Sequence, residues 1–287
     1  MKAKVSHIES ENHSSIGEIF KKYNIRPDKR LGQHFLVDKN IIKKEVELAG
    51  IKPDETILEI GPGLGFLTKD LLCRAKHVIA IELDARMAEV LESECGCECL
   101  KIIRADALDV DFPAFDRCVS NIPYEISSQI IAKLGRYGNP AILIMQKEFA
   151  ERLAAKPKDK IYSRISVLSQ YYFNAELLGA VSKNSFFPAP KVDSAIVRLI
   201  PRTAAQKKAL GVEDEEFFFA VARALFQHKN QSIRNAFIHS RGEFGLEKDA
   251  AKIISGKFSG ADRKVDSLSI KELAEIAGQV RKSIALK

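Results

Sequence analysis

From Thr56 to about Ile200 the chain alternates short β-branched apolar runs with helical patterns. This alternation leaves few folds open, because parallel strands cannot be joined by tight turns and each return needs a crossover, usually a helix. The candidate strands are Thr56–Ile60, His77–Ile81, Lys101–Arg104, Cys118–Asn121, Ala141–Met145, Ala175–Leu178 and Ala195–Ile200. Between them Phe66–Cys73, Ala85–Leu91, Ser127–Leu134 and Lys147–Ala155 read as helices, and Lys52-Pro53-Asp54, Gly138-Asn139-Pro140 and Lys156-Pro157-Lys158-Asp159 read as turns. The reading is a doubly wound α/β domain.

The pattern changes after Ile200. Pro201 and a Lys-rich connector lead to Glu213-Asp214-Glu215-Glu216, an acidic start suited to a helix dipole, and then to apolar Phe217–Phe226. Helical patterns continue through Ser232–Ile238, Glu247–Ile254 and Ile270–Val280, so residues 201–287 read as a small helical domain. Residues 1–30 form a polar extension with one weak amphipathic turn near Ile16–Tyr23, and residues 31–200 form the α/β domain.

Charge follows the same division. Residues 1–30 carry seven Lys and Arg against four Asp and Glu, residues 31–182 carry 19 against 22, and residues 183–287 carry 19 against 12. A slightly acidic body between basic ends suits contact with a polyanion, and is also found in proteins that bind no nucleic acid. No stretch approaches the ~18 uninterrupted apolar residues of a membrane span, and the charged start is no signal peptide, so a soluble, cytoplasmic protein is expected. The five cysteines do not form the framework of a small secreted scaffold. Cys95-Gly96-Cys97-Glu98-Cys99 lacks the ligand spacing of tetrahedral zinc and reads as reduced thiols before a strand, with no metal.

Glu59-Ile60-Gly61-Pro62-Gly63-Leu64-Gly65 ends the first strand and opens a helix, where glycines permit tight turning and close backbone approach to a ligand. The spacing is G-x-G-x-G, and Pro62 has no N–H for a pyrophosphate, which disfavours a dinucleotide. Glu82 ends the second strand, where a carboxylate accepts both ribose hydroxyls; nicotinamide cofactors and S-adenosylmethionine (SAM) both use this position. Asp106 ends the third, where it suits an adenine amine while a neighbouring backbone N–H reaches a ring nitrogen. Singly these are turn glycines and helix caps; together, at the carboxyl ends of parallel strands, they converge on a SAM-type nucleoside site.

Asn121-Ile122-Pro123-Tyr124 follows the fourth strand. The exocyclic amine of adenine is a weak nucleophile because its lone pair is delocalised into the ring. The Asn121 side-chain oxygen and the Ile122 carbonyl would each accept one N–H and localise that lone pair. Pro123 stiffens the turn, and Tyr124 offers a π-face to a flipped base. The same four residues also suit an ordinary turn with a surface tyrosine.

Taken together, these motifs resemble the rRNA adenine N6,N6-dimethyltransferase family, the kasugamycin-sensitivity methyltransferases and their archaeal and eukaryotic counterparts. The resemblance is carried by Lys29-Arg30-Leu31-Gly32-Gln33-His34-Phe35-Leu36, the Glu59–Gly65 loop, Glu82, Asp106, Asn121–Tyr124 and Gln146-Lys147-Glu148-Phe149-Ala150-Glu151-Arg152. Phe186-Phe187-Pro188-Ala189-Pro190-Lys191-Val192-Asp193-Ser194-Ala195 and Phe226-Gln227-His228-Lys229-Asn230 extend it, so that it runs from about Arg26 to the C-terminus. Ile122 stands where the family commonly has Leu, and Glu125-Ile126-Ser127-Ser128 is closer to the archaeal and eukaryotic branch.

The resemblance implies a Rossmann-like SAM-dependent methyltransferase sheet with a C-terminal helical domain that docks on RNA. It places Gln33, His34 and Leu36 over the methionine and sulfonium of SAM, Gly61 and Gly63 along the same moiety, Glu82 on the ribose, and Asp106 with its neighbour Ala107 on the adenine. Asn121 would touch both cofactor and target amine, Pro123 would shape the catalytic turn, and Tyr124 and Phe186 would sandwich the target adenine. The implied reaction is dimethylation of N6 of two adjacent adenosines near the 3′ end of small-subunit rRNA, within an immature subunit and by a monomer. Alternatives are a large-subunit rRNA methyltransferase and a ribosome-assembly factor that keeps the fold without turnover. A nicotinamide oxidoreductase would leave the tetrapeptide unexplained.

Overall fold

A computed structural model describes residues 16–28 and 31–285. Lys29 and Arg30 of the N-terminal motif, and residues 1–15 of the basic extension, lie outside the described residues. The chain divides into two compact units, one built from residues up to Ala150 together with Glu176–Ile200, the other from Glu151–Ala175 and Pro201 onward.

The first unit opens with α1 (Ile16–Lys22), β1 (Phe35–Leu36) and α2 (Lys39–Ala49). Asp38 caps α2, its Oδ1 accepting from Asn40 N at 3.0 Å, and Gly50 closes the helix at φ +60°. The winding then runs β2 (Thr56–Ile60), α3 (Phe66–Leu72), β3 (His77–Glu82), α4 (Ala85–Cys95), β4 (Leu100–Arg104), β5 (Arg117–Asn121), α5 (Ser127–Tyr137), β6 (Ala141–Gln146) and α6 (Lys147–Ala154). After α7 (Arg164–Tyr172), the strands β7 (Phe173–Val181), β8 (Phe186–Phe187) and β9 (Ser194–Pro201) complete the order.

Seven strands form one sheet in the order β4-β3-β2-β5-β6-β9-β7, and β1 pairs separately with β8. β2, β3, β4, β5 and β6 are parallel, while β9 runs antiparallel to β6 with Met145 opposite Ala195. All seven expected strands are present. The chain winds outward from β2 to β4 and returns to β5 on the other side of β2, so the switch point lies where β2 and β5 end, at Gly61 and Asn121. Ile57, Val78, Val119 and Ile142 are buried against Ile42 and Val46 of α2 and Leu67 and Leu71 of α3. Each such aliphatic side chain contributes roughly 1.5–3 kcal/mol on leaving water.

Ahead of the sheet, α1 docks on α4. Ile19 packs with Phe35, Leu64, Met87 and Val90, and Glu94 accepts from Lys22 (2.8 Å), Tyr23 (2.8 Å) and Lys69 (3.4 Å). The Lys22 ammonium beside Glu94 holds its carboxyl down to about 2. In the turn between α4 and β4, Cys97 and Cys99 are joined as a disulfide, where the sequence reading expects reduced thiols; the turn brings their Cα atoms to 5.3 Å, within bonding range. Cys95, just before them, is a buried thiol that packs on the Gly65 carbonyl (3.8 Å).

The second unit contains α7 and then α8 (Ala204–Lys208), α9 (Glu215–Phe226), α10 (Ile233–His239), α11 (Lys248–Ser255) and α12 (Ile270–Ala285). Residues 151–175, which a boundary at 200 leaves with the sheet, pack among these helices. The reason is aromatic: Tyr162 meets Phe226 (5.6 Å between rings) and donates to Leu268 O (3.1 Å), and Tyr171 stacks near Phe218 and donates to Glu215 (3.0 Å). Lys207 lies 4.7 Å from the centre of the Tyr172 ring. Among the described residues no helix is long and apolar enough to cross a membrane.

Candidate active site

The carboxyl ends of β2, β3, β4 and β5, closed over by the segment 31–36, line one cleft. Its floor begins where Gly61 N donates to Ile81 O (2.8 Å), extending the ladder before the chain turns through Gly61, Gly63 and Gly65 at φ +69°, +55° and +78°. L-residues rarely adopt this region. At Gly63 a side chain would also run into the Phe35 ring, 2.9 Å from the position a Cβ would take.

Glu82 is 7 % exposed at the end of β3. Its oxygens accept from Gly63 N (3.0 Å) and Asp84 N (2.9 Å), and each keeps a further lone pair for a ligand hydroxyl. Burial raises its carboxyl above the usual range, and the two backbone N–H groups oppose that rise. Behind it Glu59 accepts from Thr68 Oγ1 (2.7 Å) and is pushed by burial up to about 8. Ala105 N donates to Glu82 O (3.0 Å), setting the start of the loop that presents Asp106, whose Oδ1 accepts from Leu108 N (2.8 Å). Two carboxylates on adjacent strand ends match a ribose diol and an adenine amine, so the chemistry of these groups fits SAM.

Asn121 ends β5 beside β2. Ser120, fully buried, ties the two strands: its Oγ donates to Ile60 O (2.6 Å) and accepts from Ile60 N (3.2 Å). Asn121 Nδ2 donates to His34 O (3.4 Å), which leaves Oδ1 as its acceptor end. Ile122 N donates to Ile144 O (3.1 Å), anchoring the tetrapeptide to β6. Tyr124 opens a 3-10 turn, hydrogen-bonds Ser194 (2.6 Å), and has its hydroxyl raised above the usual phenol range by burial.

Asp28 and the segment 31–36 are tied to their surroundings on both sides. Gln33 Nε2 donates to Asp84 Oδ2 (2.9 Å) and its Oε1 accepts from Asp28 N (2.8 Å). Arg86 grips the same Asp84 and holds it below the usual carboxylate range. His34 donates from Nδ1 to Pro188 O (2.7 Å), and its ring lies 6.0 Å from Tyr124 at 28°.

Gln33, His34, Leu36, Gly61, Gly63, Glu82, Asp106, Ala107, Asn121, Pro123 and Tyr124 therefore line one cleft. Phe186 does not. It is 3 % exposed, paired with Leu36 between β1 and β8 and packed in the core, and the ring that faces Tyr124 here is His34. Phe187 is 45 % exposed with its ring 5.8 Å from Phe20. Sequence reasoning also missed Leu83 and Glu125. Leu83, 56 % exposed on the cleft wall beside Glu82, offers an apolar face to a planar ligand; an apolar residue after the strand-end carboxylate was the available signal. The Glu125 carboxylate crowds the position a Cβ on Gly32 would take, and Gly32 has φ +58°.

Among the described residues no group of three or more His, Cys, Asp or Glu side chains is placed to hold a metal ion. The family model described as ribosomal RNA adenine dimethylase matches residues 14–275. The chain is 45% identical over 234 residues to the "Probable ribosomal RNA small subunit methyltransferase A" of Methanopyrus kandleri, covering 80% of this chain and 83% of that one. It is 41% identical over 268 residues to the protein of the same name in Thermococcus sibiricus, covering 92% and 96%. Among solved structures, a dimethyladenosine transferase from Plasmodium falciparum superposes with TM-score 0.74 at 30% identity, covering 87% of this chain and 98% of that one. The 23S rRNA methyltransferase ErmE gives 0.60 at 27%, covering 86% and 99%. With the sheet order, the strand-end carboxylates and the Asn121–Tyr124 turn in place, these likenesses show that the chain belongs to the ribosomal RNA adenine dimethylase family.

Proposed function

We propose that this enzyme dimethylates N6 of two adjacent adenosines near the 3′ end of small-subunit rRNA, acting as a cytoplasmic monomer on an immature subunit. The observation that carries the reading is the convergence of Asn121–Tyr124 on the same cleft as Glu82 and Asp106. Relatives named for the small subunit, at 45% and 41% identity, favour that target over the large subunit.

SAM, when bound, supplies an electrophilic methyl group on a sulfonium centre. Glu82 accepts the ribose hydroxyls and Asp106 the adenine amine. Asn121 Oδ1 and the Ile122 carbonyl accept the two N–H bonds of the target amine and draw its lone pair out of ring conjugation. Tyr124, tethered through its hydroxyl to Ser194, gives the flipped base a fixed face. No side chain with a tuned pKa is required as a base, because the amine proton becomes acidic once the methyl has transferred. The Lys and Arg excess of residues 183–287 supplies phosphate contacts, and structured RNA is read mainly through its shape and backbone.

The test is methylation of purified immature small and large subunits with labelled SAM, followed by mapping of the modified base. Two neighbouring dimethyladenosines in small-subunit rRNA are expected. Label in the large subunit alone would move the target, and intact SAM binding without transfer to either would overturn the enzymatic reading.

A further inference from the structure

The connection between β4 and β5 carries Asp106 and Ala107 to the cleft, yet residues 105–116 contain no helix or strand of their own. A loop of that length has many conformations, and the adenine end of a nucleoside needs one. Two side chains of α5 hold the part of it that follows Asp106. Lys133 Nζ donates to the carbonyls of Ala107 (2.8 Å) and Leu108 (3.1 Å) and to that of Val110, and it lies 4.5 Å from the centre of the Phe112 ring. One turn further along, Tyr137 stacks on Phe112 (5.0 Å, 29°), and its Oη accepts from Phe112 N at 2.7 Å.

An ammonium has three donors and no acceptor, so three converging carbonyls and an aromatic face satisfy it fully. The carbonyls belong to the residues just after Asp106, and Leu108, held by Lys133 through its carbonyl, donates its own N–H to Asp106 Oδ1 (2.8 Å). The 3-10 turn that Tyr124 opens runs through Ile126 into α5, which begins at Ser127. One rigid element thus carries the catalytic turn at its start and shapes the Asp106 loop from its middle.

We propose that Lys133, assisted by Tyr137, is a positioning residue that sets the Asp106–Ala107 backbone for the adenine of the methyl donor. The inference rests on the reading of this cleft as a SAM site. Its effect belongs to cofactor affinity and base selectivity, while the methyl-transfer step itself depends on Asn121–Tyr124.

The experiment compares wild type, Lys133→Met and Tyr137→Phe. Binding of SAM is measured by calorimetry, competition by S-adenosylhomocysteine and by its inosine counterpart, and steady-state kinetics are followed on subunit RNA. In Lys133→Met, which keeps the stem over Phe112 and loses the donors, the Kd and KM for SAM should rise about tenfold while kcat at saturating SAM stays within about twofold. The preference for adenine over hypoxanthine should shrink by about the same factor. Tyr137→Phe should move the same quantities about threefold, and it carries the test should Lys133→Met not fold. Unchanged SAM affinity and base preference, or equal loss for both competitors with a matching fall in kcat, would overturn the proposal. A wild type that binds no SAM would refute the cofactor reading itself, which is a different failure from a wild type that binds and variants that bind equally well.

Discussion

Gly63→Ala should damage the enzyme by two separable routes. The residue sits at φ +55°, where a side chain costs about 1–2 kcal/mol, and the new Cβ would lie 2.9 Å from the ring of Phe35, which is only 7 % exposed. Overpacking of that kind adds about 1–3 kcal/mol. The expected loss is therefore about 2–5 kcal/mol, or roughly 5–15 °C in Tm for a unit of this size. Gly50→Ala is the matched reference, because Gly50 has φ +60° with nothing within 4 Å of a built Cβ, so it reports the backbone contribution alone. The difference between the two variants isolates the clash. Phe35→Leu should return about 1 kcal/mol or more in the Gly63→Ala background while destabilising the wild type, a coupling that a double-mutant cycle reads directly. Since Gly63 N donates to Glu82, the Kd for SAM should also rise about tenfold. Thermal unfolding and calorimetry supply the numbers. A Gly63→Ala protein no less stable than Gly50→Ala, or one insensitive to Phe35→Leu, would show that the ring does not constrain the loop.

Three further outcomes can be checked. Asn121→Ala should lower kcat by about 10²–10³ with the Kd for SAM changed only a few-fold, and loss of SAM binding in proportion would make Asn121 structural. Tyr124→Phe should retain most turnover while Tyr124→Ala loses about tenfold or more, because the face and not the hydroxyl meets the base; equal losses would point to the Ser194 tether instead. Glu94 is held down to about 2 in the fold, so its contribution to docking α1 is complete above the ordinary carboxylate range and disappears as pH falls from about 5 toward 2. Lys22 is largely exposed, so solvent screens the pair and keeps the effect small. Amide protection factors over residues 16–22, corrected for the intrinsic rate at each pH, should fall at pH 3, Glu94→Gln should lower them at pH 7, and protection independent of both would contradict the assignment.

The parallel sheet was legible because each strand is a short β-branched run closed by a turn residue, and the cleft because its carboxylates and glycines fall at strand ends. Helix α2 gives little signal in the sequence although Asp38 and Gly50 mark both its ends, since its only strongly buried apolar residues are Ile42, Val46 and Ala49 among lysines and glutamates. Helix α7 was hidden for the opposite reason: Ile165, Val167, Tyr171 and Tyr172 are buried on several sides, which erases a single-face period, and its capping box uses Ser163 with Ser166 in place of an acidic partner. The placement of His34 against Tyr124, with Phe186 in the core, depends on the pairing of β1 with β8 across some 150 residues, and no local pattern encodes it.

The helical unit draws its residues from two stretches separated in sequence, 151–175 and 201 onward, so the chain passes between the units three times. During synthesis the first stretch emerges with Tyr162, Tyr171 and Tyr172 before any of their helical partners exists, and these rings must wait, in water or on other surfaces, until α9 and α12 follow. For the same reason a clean excision of the unit is not a truncation at 200. It requires removing the early stretch as well and joining Ala150 to Glu176, and a chain cut only at its end would keep an orphaned aromatic patch that favours aggregation.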